Sequence, residues 1–210
     1  MTEHATMNTI THAAFRRDLH RFDQALAAFP ANSVRRAKEV ATAWDNFSFQ
    51  LHHHHEDEEN VFWPVLRSLG ADEATAGDLE GEHAQMLLAL DRANDAMSAL
   101  RTTASATDAA TARQAVDSLA SLLLNHLTHE ERDLEPFAAE QRHTPQIAAA
   151  QKAVRKTHRG NHGTFLAWLL DGADADAVRG LRSEVPRPVL FVISRVGGRR
   201  YRRTIAPVWL

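Results

Sequence analysis

Four stretches of this chain place apolar residues at alternating steps of three and four, and each stripe is interrupted by histidine or glutamate where a core residue belongs. In the first, Phe15, Leu19, Phe22, Leu26 and Phe29 run to Pro30, and one step back lands on His12. The second starts at Asn32 or Ser33, which suit an N-cap, and reads Val40, Trp44, Phe47, Leu51, His54, Glu58, Val61 and Val65. After a break at Gly70, Asp72 caps a third stripe of Leu79, His83, Met86, Leu90, Ala93, Met97 and Leu100. A Thr-rich connection around residues 102–107 leads to the fourth: Val116, Leu119, Leu123, His126, Glu130 and Phe137. Four such stripes joined by short polar breaks predict an all-α fold, an up-down-up-down four-helix bundle. Polar groups on apolar stripes are costly to bury unpaired, so His12, His54, Glu58, His83, His126 and Glu130 call for compensation. A metal centre is the simplest candidate.

Height in the bundle tests this further, because side chains on different helices meet only at a common level. His12 lies about 18 residues before the first turn and His54 about 21 after it, or roughly 27 and 32 Å at 1.5 Å per residue. Glu58 and His83 are each about 11 residues from the second turn, and His83 and His126 each about 20 from the third. All six fall in one layer. Register also selects among the other histidines. In the run His52, His53, His54, His55 only His54 sits on the stripe, its neighbours being rotated about 100° per residue toward the flanks or solvent. His20 and His129 fall off their stripes by the same test, and the acidic run from Glu56 to Glu59 reads, Glu58 apart, as a solvated face. Trp44, Phe47 and Phe62 read as core and shield.

The chain contains no cysteine, which removes disulfides, iron-sulfur clusters, thiolate zinc sites and cysteine nucleophiles together. Any metal must be held by nitrogen and oxygen. The i, i+4 pairs His54/Glu58 and His126/Glu130, with His12 and His83, supply four imidazoles and two carboxylates, a set sized for a dinuclear site because carboxylates bridge cations. Affinity order favours copper or zinc over iron, so spacing by itself does not select the metal, although mixed nitrogen and oxygen ligands with open positions suit iron redox chemistry.

The same residues resemble a known family, the hemerythrin-like proteins with an HHE cation-binding domain. The resemblance rests on ThrHisAlaAlaPheArgArgAspLeu around His12, HisHisHisHisGluAspGluGluAsnValPheTrpPro around His54 and Glu58, GluHis at 82 and 83, and AsnHisLeuThrHisGluGluArgAspLeuGluPro around His126 and Glu130. Each of these glutamates is followed six residues later by proline, at Pro64 and Pro136. The resemblance implies two iron ions with an oxo or hydroxo bridge, held by His12, His54, Glu58, His83, His126 and Glu130, with O2, peroxide or NO as small ligands. One departure matters. The hemerythrins proper carry a second histidine one turn after the third-helix one, and that position is Leu87 here. The loss leaves a vacancy, a water, or a substitute such as a nearby glutamate or His55. A vacancy admits peroxide or water, which weakens the case for simple oxygen carriage.

Alternatives stand beside this reading. His12 alone reads equally well as a buried histidine with a backbone partner, and His54/Glu58 as a local helix contact; the second copy at His126/Glu130 argues against that. Three functional classes follow in order: a di-iron site decomposing peroxide or reacting with O2 or NO, a non-catalytic O2/NO carrier or sensor, and an iron-binding or interaction protein with a structural metal. No nucleophile triad or phosphate loop competes with them.

Residues 1–144 thus read as the metal-binding bundle and 145–210 as a C-terminal helical extension packing on it. Residues 146–170 read as a fifth helix, weakened at Gly160 and Gly163, with His158 and His162 four apart; either could reach the site, but a place behind the ligands or on the surface is favoured. Pro186 and Pro188 precede the apolar run ValLeuPheValIle, expected to pack on the bundle. ArgArgTyrArgArg follows Gly197 and Gly198; it suggests phosphate contact or neutralisation of the acidic second helix, yet a single interleaved aromatic makes nucleic acid a weak candidate. A net charge of -3 gives no global pull toward nucleic acid or anionic membranes. With no leader or spanning segment apparent, a soluble cytoplasmic protein without a membrane partner is expected.

Overall fold

Side-chain oxygens set the starts of the long helices. Thr6 accepts from the Thr9 N–H and opens α1 (Met7–Ala27), and Ser33 accepts from Arg36 and opens α2 (Val34–Asp57). α2 continues through a π-helical turn, Glu58–Phe62, into α3 (Trp63–Leu69). Asp72 then caps α4 (Glu73–Thr103) and Ser105 caps α5 (Ala106–Asp133). The computed structural model describes residues 6–158 and 160–210, and among them there is no strand.

Contacts run from α1 to α2, α2 to α4, α4 to α5 and α5 back to α1, closing a ring of four helices. The turn before α2 and the turn after α4 meet directly: the Asn32 N–H donates to the Ala104 carbonyl at 2.8 Å. Inside the ring, Phe15, Phe22, Phe47 and Trp44 form a chain of aromatic contacts with centroids 5.1 to 5.6 Å apart. Leu79, Met86, Met97, Leu100, Leu119 and Leu123 are buried as their stripes require.

The second stripe departs from expectation after Glu58. Val61 and Val65 are only half-buried, whereas Trp63 and Leu66 are buried, and Phe62 is half-buried. The cause is the π-helical turn, which adds one residue to the helix and moves the inward positions on by one. Pro64 explains it: its ring crowds the carbonyl four residues back and it offers no N–H, while the Trp63 N–H reaches the Glu58 carbonyl five residues away. Pro136 marks the corresponding break, where α5 gives way to α6 (Glu135–Gln141) and Phe137 is half-buried.

Beyond the ring come α7 (Pro145–Thr157), α8 (His162–Leu170), α9 (Ala175–Glu184), α10 (Arg187–Val192), a π segment Ile193–Gly197, α11 (Arg199–Thr204) and a final 3-10 turn, Ala206–Trp209. Residues 146–170 are therefore two helices, α7 and α8, with Gly160 in a turn between them. α8 and α9 lie on α1, and Trp168 is fully buried with its ring 5.1 Å from Phe15. Its Nε1 donates to Asp18 at 2.6 Å. The apolar run packs less than expected: Leu190 is buried, but Val189, Phe191 and Val192 are exposed. No described helix is long and apolar enough to cross a membrane.

Candidate metal centre

The ring brings His12 from α1, His54 from α2, Glu58 from the π turn, His83 from α4, and His126 and Glu130 from α5 into one layer, all buried except the partly exposed His54. His12 Nε2 lies 3.2 Å from His54 Nε2 and 3.2 Å from Glu130 Oε2, and His54 Nε2 is 3.1 Å from Glu58 Oε1. On the other side, His83 Nε2 is 3.0 Å from His126 Nε2 and 3.6 Å from Glu58 Oε2. Donor atoms separate into two groups, each within 4.8 Å: His12, His54, Glu58 and Glu130, and His55, Glu58, His83 and His126.

His55, rotated off the stripe, lies on the flank of α2 that meets α4. Its ring stacks on His83 with centroids 4.0 Å apart, and its Nε2 is buried without a hydrogen-bond partner. A helix in a ring touches two neighbours, so the residue after the inward-pointing His54 faces α4 rather than solvent. Among the described residues, the histidines paired elsewhere stay outside the layer. His53 pairs with Glu56, His20 with Gln24, and His158 with both oxygens of Asp57 at 3.0 Å. His162 opens α8.

Three carboxylates missed at the sequence level hold the far nitrogens of these imidazoles. Glu131 accepts from His12 Nδ1 at 2.9 Å, Glu59 from His83 Nδ1 at 2.8 Å, and Glu82 from His126 Nδ1 at 2.8 Å. Arg16 grips both oxygens of Glu131, at 2.7 and 2.9 Å, and Glu82 also meets His129 Nδ1 at 2.7 Å. Such carboxylate–imidazole pairs fix ring orientation and leave Nε2 facing inward. Their signal was adjacency: Glu131 follows Glu130, Glu59 follows Glu58, and Glu82 precedes His83.

Charge is distributed unevenly. Burial opposes protonation of His12, but the adjacent carboxylates of Glu130 and Glu131 override it and raise this imidazole to about 9. Burial likewise works against ionised Glu130, yet His12 and the neighbouring imidazoles bring it down to about 2. Glu58 goes the other way, raised well above the carboxylate range by burial and then by Glu130. On the α4 side burial holds imidazoles neutral: His83 falls to about 3, with His126 adding to the effect, and His55 lies well below its ordinary value.

Both oxygens of Glu58 and Oε2 of Glu130 are buried without a hydrogen-bond partner among the described residues. Unpaired buried carboxylate oxygens are costly, and oxygen and imidazole nitrogen donors at these separations suit a cation between them. Fold and site together define a helical cation-binding domain. The hemerythrin HHE cation binding domain matches residues 9–138, and the chain belongs to that family. No curated protein and no solved structure matches the chain.

Proposed function

We propose that this protein is an up-down-up-down four-helix bundle holding two iron ions, and that it reacts with small oxygen or nitrogen species, by peroxide decomposition or chemistry with O2 or NO. The observation that carries the reading is the unpartnered Glu58 carboxylate, common to both donor groups and grouped with imidazole nitrogens from four helices. The alternating contacts of the ring and the shared end of the α1–α2 and α4–α5 turns support the bundle topology. His12, His54, Glu58 and Glu130 would hold one ion; His55, Glu58, His83 and His126 the other. His55 then takes the part of the histidine absent at Leu87, whose side chain is exposed. The reading also places the protein in the cytoplasm.

Iron in such a site supplies Lewis acidity and one-electron redox chemistry. The chain's own part is orientation and exclusion. Glu131, Glu59 and Glu82 lock the imidazoles, Asn8 donates to Glu130 Oε1 at 3.2 Å, and Phe15, itself packed on Trp168, and Trp63 cover the layer with aromatic surface. Burial and the neighbouring Glu130 raise the Glu58 carboxyl, so cation binding there is coupled to proton release.

The test is to count metals in purified protein and then follow the optical spectrum of the reduced form with O2, peroxide and NO. Two irons with sustained loss of peroxide, or reaction with O2 or NO, supports the proposal. Reversible spectra without consumption would replace it with carriage or sensing, a reading favoured by the aromatic wall on the α1 side. Silence toward all three would leave a structural metal.

A further inference from the structure

The basic residues of this chain are segregated. Residues 185–210 contain six arginines and no acidic residue, leaving 18 of the 24 basic residues and all 27 acidic ones on residues 1–184. A net charge of -3 therefore conceals a strongly cationic end on an acidic body.

The same end carries exposed apolar surface. α10 and the π segment after it form a continuous helical rod, Arg187–Gly197, whose inward residues Leu190 and Ser194 are buried. The rod is fixed to α8 by backbone contact: a Cβ added to Gly163 would stand 2.3 Å from Gly197 Cα, so neither position admits a side chain. Outward, Val189, Phe191, Val192 and Val196 are 43%, 62%, 54% and 65% exposed. Four of the ten exposed large hydrophobics of the described residues thus fall within eight consecutive positions. Arg195, also exposed, sets its guanidinium 5.3 Å from the Phe191 ring centroid. Past Gly198, Arg199, Arg200 and Arg203 are exposed as well. Two residues of this stretch are structural: Tyr201 is buried and donates to Asp171 at 2.8 Å, and Arg202 donates to the Ser194 and Arg195 carbonyls.

We propose that the exposed side chains of Val189, Phe191, Val192 and Val196, with Arg195 beside Phe191 and the exposed Arg199, Arg200 and Arg203 on the helix that follows, dock reversibly on an anionic lipid surface. A short helix with an apolar outward face and a basic margin rests at the boundary of headgroups and acyl chains, its arginines on lipid phosphates. Phosphates of nucleic acid would engage the arginines but leave three valines in water, and one aromatic makes a poor stacking platform. The acidic body orients the molecule, since an anionic surface repels it and attracts only the cationic end. One short apolar face is a weak anchor, so the association is salt-sensitive.

The full metal-loaded chain is sedimented with vesicles of phosphatidylcholine alone or mixed with phosphatidylglycerol. Binding to the mixed vesicles that fades with salt is expected, with little to pure phosphatidylcholine. Arg199→Glu with Arg200→Glu, and Phe191→Ser with Val192→Ser and Val196→Ser, should each weaken it by at least about tenfold. Metal content should be unchanged in both, which separates docking from folding; Val196→Ser alone serves if the triple variant misfolds. No binding to mixed vesicles at low salt overturns the proposal. So does binding that survives the serine substitutions, binding to duplex DNA in place of vesicles, or self-association lost in the serine variant without any vesicle binding.

Discussion

The two sides of the candidate centre share Glu58 and differ in almost everything else. The α1 side pairs a protonated imidazole with an ionised carboxylate, His12 with Glu130, and is walled by Phe15 and Trp168. The α4 side is three neutral imidazoles, His55, His83 and His126, and borders a groove of about 400 Å³ between α2 and α4 lined by Leu51, Glu56, Glu59, Glu80 and Leu87 as well as His55 and His83. The lesson is that one layer of donors offers a charged, closed half and a neutral, accessible half. Both halves share the raised Glu58 carboxyl, but the first also holds a protonated imidazole to be discharged, whereas at the second the imidazoles are already in the ligating form.

Replacing the shared residue should have the largest effect. Glu58→Ala removes a donor from both halves, and elemental analysis is expected to find neither metal retained; one metal remaining would mean that the halves do not share it. His55→Ala comes next, lowering the count from two toward one, and an unchanged count would return His55 to a purely packing role. Replacing His54 or Glu130 should likewise cost metal, whereas His53→Ala and His20→Ala should not. Smaller again, Glu131→Gln and Glu82→Gln leave every inward nitrogen in place, and metal affinity measured by chelator competition is expected to drop about 10–100-fold. If only Glu131→Gln acts, orientation matters on the α1 side alone.

Proton linkage sharpens the contrast. Because His12 is raised above its ordinary value, its pairing stabilises the apo protein fully below about pH 6.5, and that contribution is lost as pH rises through about 9. Denaturant unfolding of the apo protein across this window should show the decline, and His12→Gln should remove it. Metal loading at neutral pH is expected to release protons, read by titration in buffers of different ionisation heat; proton-free loading would refute the charged description of the α1 side. A structural check is smallest for the metal: Phe15→Ala is expected to cost about 3–5 kcal/mol in unfolding free energy through the cavity it leaves against Phe47 and Trp168.

Much of this was legible because buried stripes obey helical spacing. His12, His83 and His126 replace apolar residues at regular steps, so position along the stripe already set their height and direction. His55 was legible only as one possible substitute for the histidine absent at Leu87, because the 100° rule put it on a flank without saying which flank is buried, and α2 borders both α1 and α4. Glu59, Glu82 and Glu131 escaped because they lie beside the stripe and act on the outer nitrogens, a role that needs three-dimensional neighbours to be seen. Trp63 was missed for a different reason: the π turn before Pro64 shifts the inward phase by one, and spacing arguments assume constant pitch. The apolar run at residues 189–193 misled because hydrophobicity says that a segment wants cover, not that the chain supplies it.

The widened turn at Glu58–Phe62 has a consequence for how this helix tolerates change. It acts as a phase shifter, letting His54 and Glu58 keep one azimuth while Trp63 and Leu66 adopt another. Deleting a single residue between 59 and 61 would return the helix to ordinary pitch and swing Trp63 away from the His83 ring it covers at 4.6 Å. The segment is therefore far less forgiving of length changes than of substitutions.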